Sequence, residues 1–113
     1  MMELSSPKYN GYEPLIEILI EALDQAALGK GRERHANDKP FLEQPMFTIA
    51  GHFPGFCFGQ AVKKLTEAQR TGNEADVLGA IVYTASGLID MRARKDEEKV
   101  IHFPEASNSG VSG

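Results

Sequence analysis

Two stretches, residues 56–70 and 74–95, carry apolar side chains at three- and four-residue steps, and only Thr71-Gly72-Asn73 separates them. That period marks amphipathic helix, and so short a connection leaves two helices little choice but an antiparallel hairpin. In the first stretch Phe58, Ala61, Val62, Leu65 and Ala68 line one face, opposite Gln60, Lys63, Lys64, Glu67 and Arg70. In the second, Val77, Leu78, Ile81, Ala85, Leu88 and Ile89 form the apolar stripe. Asn73 suits an N-cap, Glu74 and Asp76 suit the first turn, and Arg92, Arg94 and Lys95 suit a helix end. The pattern predicts that this helix runs from Glu74 to about Lys95.

A third periodic run precedes the hairpin. Pro14 fits a first helical position, and Leu15, Ile16, Leu19, Ala22, Leu23, Ala26 and Ala27 make one stripe expected to be buried. Gly29 and Gly31 end it, so the spacing predicts a helix over 14–28. In residues 29–45, two glycines, two prolines and Asn37-Asp38 exclude a long regular element. Pro45 opens a short helix through Ala50 that Gly51 terminates, and residues 52–55 form a turn. Residues 1–12 read as an arm, 13–103 as a single helical domain and 104–113 as a flexible tail. Within this plan Val100, Ile101 and Phe103 dock as an extended segment. The expected fold is all-α: three main helices plus one short helix, with a C-terminal antiparallel helical hairpin.

Composition narrows the function. Of 113 residues, 12 are Lys or Arg and 16 are Asp or Glu, a net charge of −4. That balance argues against a non-specific nucleic-acid binder, which needs many phosphate-neutralising cations. An apolar share of 42% is enough for a core. No apolar run reaches the ~18–20 residues that span a bilayer, and no leader pattern opens the chain. Cys57 is the single cysteine, so no intrachain disulfide forms and a cytoplasmic setting is expected. Flanked by Phe56 and Phe58, it reads as a buried small hydrophobe.

Gly79 and Gly87 stand inside the last helix, where each costs ~1 kcal/mol relative to Ala. With Ala80, Thr84 and Ser86 they make a small-residue surface. Two uses fit it: close packing against the first helix within one chain, or a seam between protomers. The second, together with exposed apolar positions on the first helix, implies a homo-oligomer.

The densest polar chemistry lies in Lys30-Gly31-Arg32-Glu33-Arg34-His35, with Lys39 beyond. Glycines beside cations suit phosphate, because backbone N–H groups approach closely and guanidinium forks engage two oxygens each. The spacing is not a P-loop, and a solvated basic loop capping the first helix fits as well. On the third helix Gln60, Lys64 and Glu67 share a face with Lys63 at its flank, although Lys63 and Glu67 also fit a plain i,i+4 pair. If the loop folds over this face, Arg32, Arg34, His35, Lys39, Gln44, Gln60, Lys63 and Lys64 converge into a nucleotide site. His35, His52 and His102 are isolated, with no HxxxH or CxxC spacing, so no metal site, cofactor or catalytic residue is assigned. All-helical nucleotide pyrophosphohydrolases need ExxE and ExxD carboxylates around magnesium. Here Glu13, Glu17 and Glu21 are spaced by four, and Glu74 and Asp76 by two, so that chemistry is not expected.

The stretches GKGRERHANDKPFLEQPMFTIAGHF, GFCFGQAVKKLTEA and DVLGAIVYTASGLI, roughly residues 28–90, resemble small proteins common in tailed phages and prophages. More distantly, FGQAVKKL followed by ADVLGAIVY is similar in layout to a phage family described as nucleotide kinase-like. Gly59, Ala61, Lys63, Asp76 and Tyr83 fall on matching positions, while Gln60, Lys64 and Gly79 replace that family's Asn, Tyr and Lys. The resemblance implies a phage accessory protein acting in the cytoplasm of a bacterial host. Two functions follow as expectations. One is a non-catalytic binder of a nucleotide or nucleotide-derived signal, countering host defence. The other is a protein–protein inhibitor of a host system, acting through Glu13, Glu17, Glu21, Asp96, Glu97 and Glu98. No membrane partner is expected.

Overall fold

The computed structural model describes residues 4–29 and 39–101, and four α-helices organise them: α1 (Glu13–Leu28), α2 (Pro45–His52), α3 (Phe56–Thr71) and α4 (Glu74–Ile101). Short 3-10 turns at Pro7–Tyr9 and Phe41–Glu43 precede α1 and α2. The segment read as an arm therefore contains one ordered turn. No strand occurs among the described residues, and the fold is all-α as expected.

Local signals explain most boundaries. Pro14 sits in the first turn of α1, and Gly29 closes it by donating its N–H to the Gln25 carbonyl at 3.0 Å. Gly72 ends α3 in the left-handed region, φ 76°, where a residue without a Cβ is unstrained. Asn73 caps α4 as expected: its Oδ1 accepts the Ala75 N–H at 3.0 Å.

Two boundaries differ. Gly51 does not stop α2, which continues through His52, because one glycine only lowers helix propensity. The stop is Phe53-Pro54-Gly55, with Gly55 at φ 91°. Likewise α4 does not end near Lys95 but continues to Ile101. The acidic stretch after Lys95 contains no breaker; Pro104 is the next. Val100 and Ile101 are thus helical rather than extended, and Phe103 and the tail lie outside the described residues.

The hairpin is antiparallel, with a register visible in its contacts. Lys64 lies against Gly79 near the turn, and Phe58 lies against Gly87 farther from it. This differs from the expected packing against α1 at two of the small residues, Gly79 and Gly87. A Cβ added at Gly79 would fall 2.9 Å from Lys64 Cδ, and one at Gly87 would fall 2.5 Å from Phe58 Cε1. The two glycines admit side chains of α3 of the same chain rather than of α1. Ser86 is fully buried in this region, and its hydroxyl donates to the Val82 carbonyl at 2.8 Å, which satisfies the hydrogen-bonding need of a buried polar group.

Elsewhere the packing is sparser. α2 is seated by Arg94, whose guanidinium donates to the Ala50 carbonyl while its Nε donates to Asp90 Oδ2 at 2.9 Å. α1 packs along α4 and is tied near its end by Gln25 Nε2, which donates to the Ala75 carbonyl at 3.0 Å. The buried apolar residues are Ala22, Ala50, Cys57, Ala61 and Ala80, all small. The large side chains assigned to the buried stripes are largely open: Leu15, Leu19 and Leu23 on α1, Phe58, Val62 and Leu65 on α3, Val77, Leu88 and Ile89 on α4. Leu23 and Val62 are each 63% exposed.

Candidate functional site

Position on α4 decides which site residues meet. On the flank toward α1, a cavity of about 490 Å³ lies between Leu19, Leu23 and Ala26 of α1 and Ile81, Val82 and Ala85 of α4. The chain entering the 3-10 turn supplies the third wall, with Lys39, Phe41 and Gln44. Gln44 Nε2 donates to the Lys39 carbonyl at 3.0 Å, so Lys39 and Gln44 form one unit at the rim. Lys39 is exposed and has no ion pair among the described residues. Two of the expected site residues therefore do come together, at an otherwise apolar hollow.

Lys64 belongs to a different environment. Its ammonium lies 3.9 Å from Asp76 Oδ1 and 6.0 Å from the centre of the Tyr83 ring, inside the hairpin. A half-buried lysine already facing a carboxylate and an aromatic face has part of its charge answered before any ligand arrives. Gln60 is half-buried and Lys63 exposed. None of Gln60, Lys63 and Lys64 lines the Lys39–Gln44 cavity. The expected Lys63–Glu67 pair is replaced by Glu67–Arg70 at i,i+3, 2.6 Å apart. Arg32, Arg34 and His35 lie outside the described residues. Among the described residues the cations are dispersed.

The negative charge is better gathered. Glu13, Glu17, Glu21 and Asp24 recur on α1 at steps of four and three, so they form one stripe, and all four are exposed. Glu13 accepts the Gly11 N–H at 3.0 Å. Among the described residues none of the four has an ion pair, and α1 itself contains no Lys or Arg. Like charges at i,i+4 destabilise a helix by some tenths of a kcal/mol per pair. The stripe is therefore a small cost to the helix that carries it. At the far end of α4, Asp96 and Glu97 are also exposed.

Two groups are perturbed within the hairpin. Burial pushes the Cys57 thiol above its usual 9.0, and the Asp90 carboxylate adds to the rise. Burial also raises the Tyr83 phenol above 10.0, with a smaller contribution from Cys57. Both stay protonated and neutral at physiological pH, so Cys57 is the small hydrophobe that its neighbours suggested rather than a thiolate. Among the described residues no group of three or more His, Cys, Asp or Glu is placed to hold a metal ion.

One feature was not anticipated from the sequence. A second hollow, of about 580 Å³, lies on the other flank of the same α4 face, between Phe58 and Leu65 of α3 and Val77, Ile81, Thr84 and Leu88 of α4. Ile81 and Ala85 border both hollows, so α1, α4 and α3 present one continuous apolar face. Its signal was present in the sequence as the α4 stripe, which pointed to a core within one chain. No family model, curated protein or solved structure matches the chain.

Proposed function

We propose that this is a non-catalytic binding protein that engages a basic surface of a partner protein through the carboxylate stripe of α1. The observation that carries this reading is the stripe itself: Glu13, Glu17, Glu21 and Asp24, exposed on one side of a helix that has no cation to answer them. Charge arranged in this way steers and orients a partner of opposite sign. The resemblance of residues 28–90 to phage-borne proteins suggests a partner from the infected bacterial cell, where binding would inhibit a host system.

The test is a comparison of the parent with Glu17→Gln/Glu21→Gln/Asp24→Asn. The variant should melt no lower than the parent, since repulsion is relieved. In quantitative capture from host cells it should lose a partner that the parent holds, and raised salt should release that partner from the parent. Identical capture by the two proteins would refute the reading.

A second reading is favoured by the Lys39–Gln44 cavity: a nucleotide or nucleotide-derived signal, its apolar part in the hollow and its anionic part at Lys39. A melting-temperature screen with nucleotides and cyclic nucleotides addresses it, because a ligand at ~100 times its dissociation constant adds ~2.7 kcal/mol. A saturable shift that Lys39→Ala abolishes would establish this reading in place of the first.

A further inference from the structure

The carboxylate-stripe reading leaves unused the apolar face centred on Ile81 and Ala85, and a nucleotide at Lys39 would fill only the hollow on its α1 flank. Leu19 and Leu23 of α1, Phe58 and Leu65 of α3, and Val77 and Leu88 of α4 line the face from three helices, and each is more than a third exposed. Each such side chain offers up to ~100 Å² of apolar area, which puts the six on the order of 500 Å². The largest apolar patch on a typical monomer is ~300–600 Å², and a standard interface takes ~800 Å² from each partner. With Ile81, Ala85 and Phe41 added, the face comes close to one side of such an interface.

Two observations identify what covers it. First, among the described residues the lining of both hollows contains a single charged residue, Lys39, at one edge. Interfaces that form and separate are about as polar as ordinary surface, whereas permanent homodimer interfaces resemble a protein core cut in half. Second, the described residues bury only alanines, glycines, a cysteine and a serine. A chain whose large side chains are mostly open gains too little from its own burial to be comfortably stable alone. It needs a partner that is present whenever it is made, and a second copy meets that condition.

We propose that this face is the interface of a homodimer, with α4 of each copy near the two-fold axis and the α1 and α3 faces closing over their counterparts. A two-fold axis running along α4 sets α1, net −4 from Glu13, Glu17, Glu21 and Asp24, across from α3 of the other copy. That helix is net +2 from Lys63, Lys64 and Arg70 against Glu67. An axis across α4 would instead set α1 against α1, like charge against like. The carboxylate stripe of α1 is spaced away from Leu19 and Leu23 around the helix, so the dimer leaves it in solvent. The homodimer rests on the apolar face and the proposed function on the carboxylate stripe, whose charge enters the dimer only in choosing between the two axes.

The experiment uses the full-length chain, with light scattering and sedimentation over roughly 0.5–50 μM. A dimer mass in the upper part of that range is expected. Leu23→Glu and Leu65→Glu should each weaken association by ~100-fold or more, since each buries a charge in the interface. Should these variants unfold, cysteines introduced one at a time into the Cys57→Ala chain read the same geometry. Ala85→Cys should link two copies through a short bismaleimide, whereas Glu21→Cys, on the outer stripe, should not. A monomer at ~50 μM overturns the proposal. So does a dimer that Glu21→Cys links as readily as Ala85→Cys.

Discussion

The two sides of α4 are built on opposite principles. Toward α3 it shows Gly79, Ala80, Ser86 and Gly87, all buried, and the neighbouring helix comes close enough for Phe58 to lie over Gly87. Toward the open face it shows Val77, Ile81 and Leu88, with room on both flanks for hollows of about 490 and 580 Å³. A buried glycine contributes almost no apolar area, so the closed side gains by contact and fixed geometry. The open side holds most of the area that could drive association and covers little of it. In an ordinary domain the large side chains are inside and the small ones decide how closely helices approach. Here the two tasks are divided between opposite sides of one helix. The hairpin is shaped by its small residues, and its large ones are left open along the other side of α4.

Overpacking the closed side breaks this comparison most directly. Gly87→Leu drives a branched side chain into the Phe58 ring, and a loss of about 3 kcal/mol is expected by urea unfolding. A neutral result would mean that the seam is not tight. Arg94→Ala should cost about 1–2 kcal/mol, because it leaves the Ala50 carbonyl and Asp90 without their donor. Hydrogen exchange should show α2 opening more readily than the hairpin.

A weaker effect is expected from pH. The folded seam raises the pKa values of Cys57 and Tyr83, so the native state holds these two protons more tightly than the unfolded chain does. Their contribution is complete below the usual thiol value of 9.0 and is lost as pH rises past it and then past the usual phenol value of 10.0. Stability should therefore decline on the alkaline side, and Cys57→Ala combined with Tyr83→Phe should flatten that decline. The smallest effect is expected at Gly79. Its neighbour there is the mobile end of Lys64, which can move aside, and a helical Gly→Ala change gains up to ~1 kcal/mol. Gly79→Ala should thus be neutral or slightly stabilising, in contrast to Gly87, and calorimetry of the two variants sharpens the distinction.

Helix positions were legible in the sequence because their causes are local. Pro14, Gly29, Gly72 and Asn73 each act through their own backbone or a neighbour's, and the structure uses them as the spacing predicts. The end of α4 was misplaced because Arg92, Arg94 and Lys95 look like a C-terminal turn. Arg94 is in fact a tertiary residue holding α2, which no local pattern reveals. Periodicity named the apolar stripes correctly and not their destination. A period of 3.6 shows that a face is meant to be covered, but not whether the cover comes from the same chain. The candidate site was legible only in its composition. Lys39 and Gln44 meet across the 3-10 turn at Phe41–Glu43, whereas Lys64 is drawn into the hairpin by Asp76, a residue on the partner helix.

The central claim is that α4 keeps its large apolar side for another molecule of the same chain. The melting temperature of the parent protein, followed over a hundredfold range from ~0.5 to ~50 μM, tests it most directly, because only association makes that temperature depend on concentration. The account predicts a steady rise with concentration in the parent and none in Leu23→Glu/Leu65→Glu. A parent melting temperature that stays constant across the whole range would contradict it.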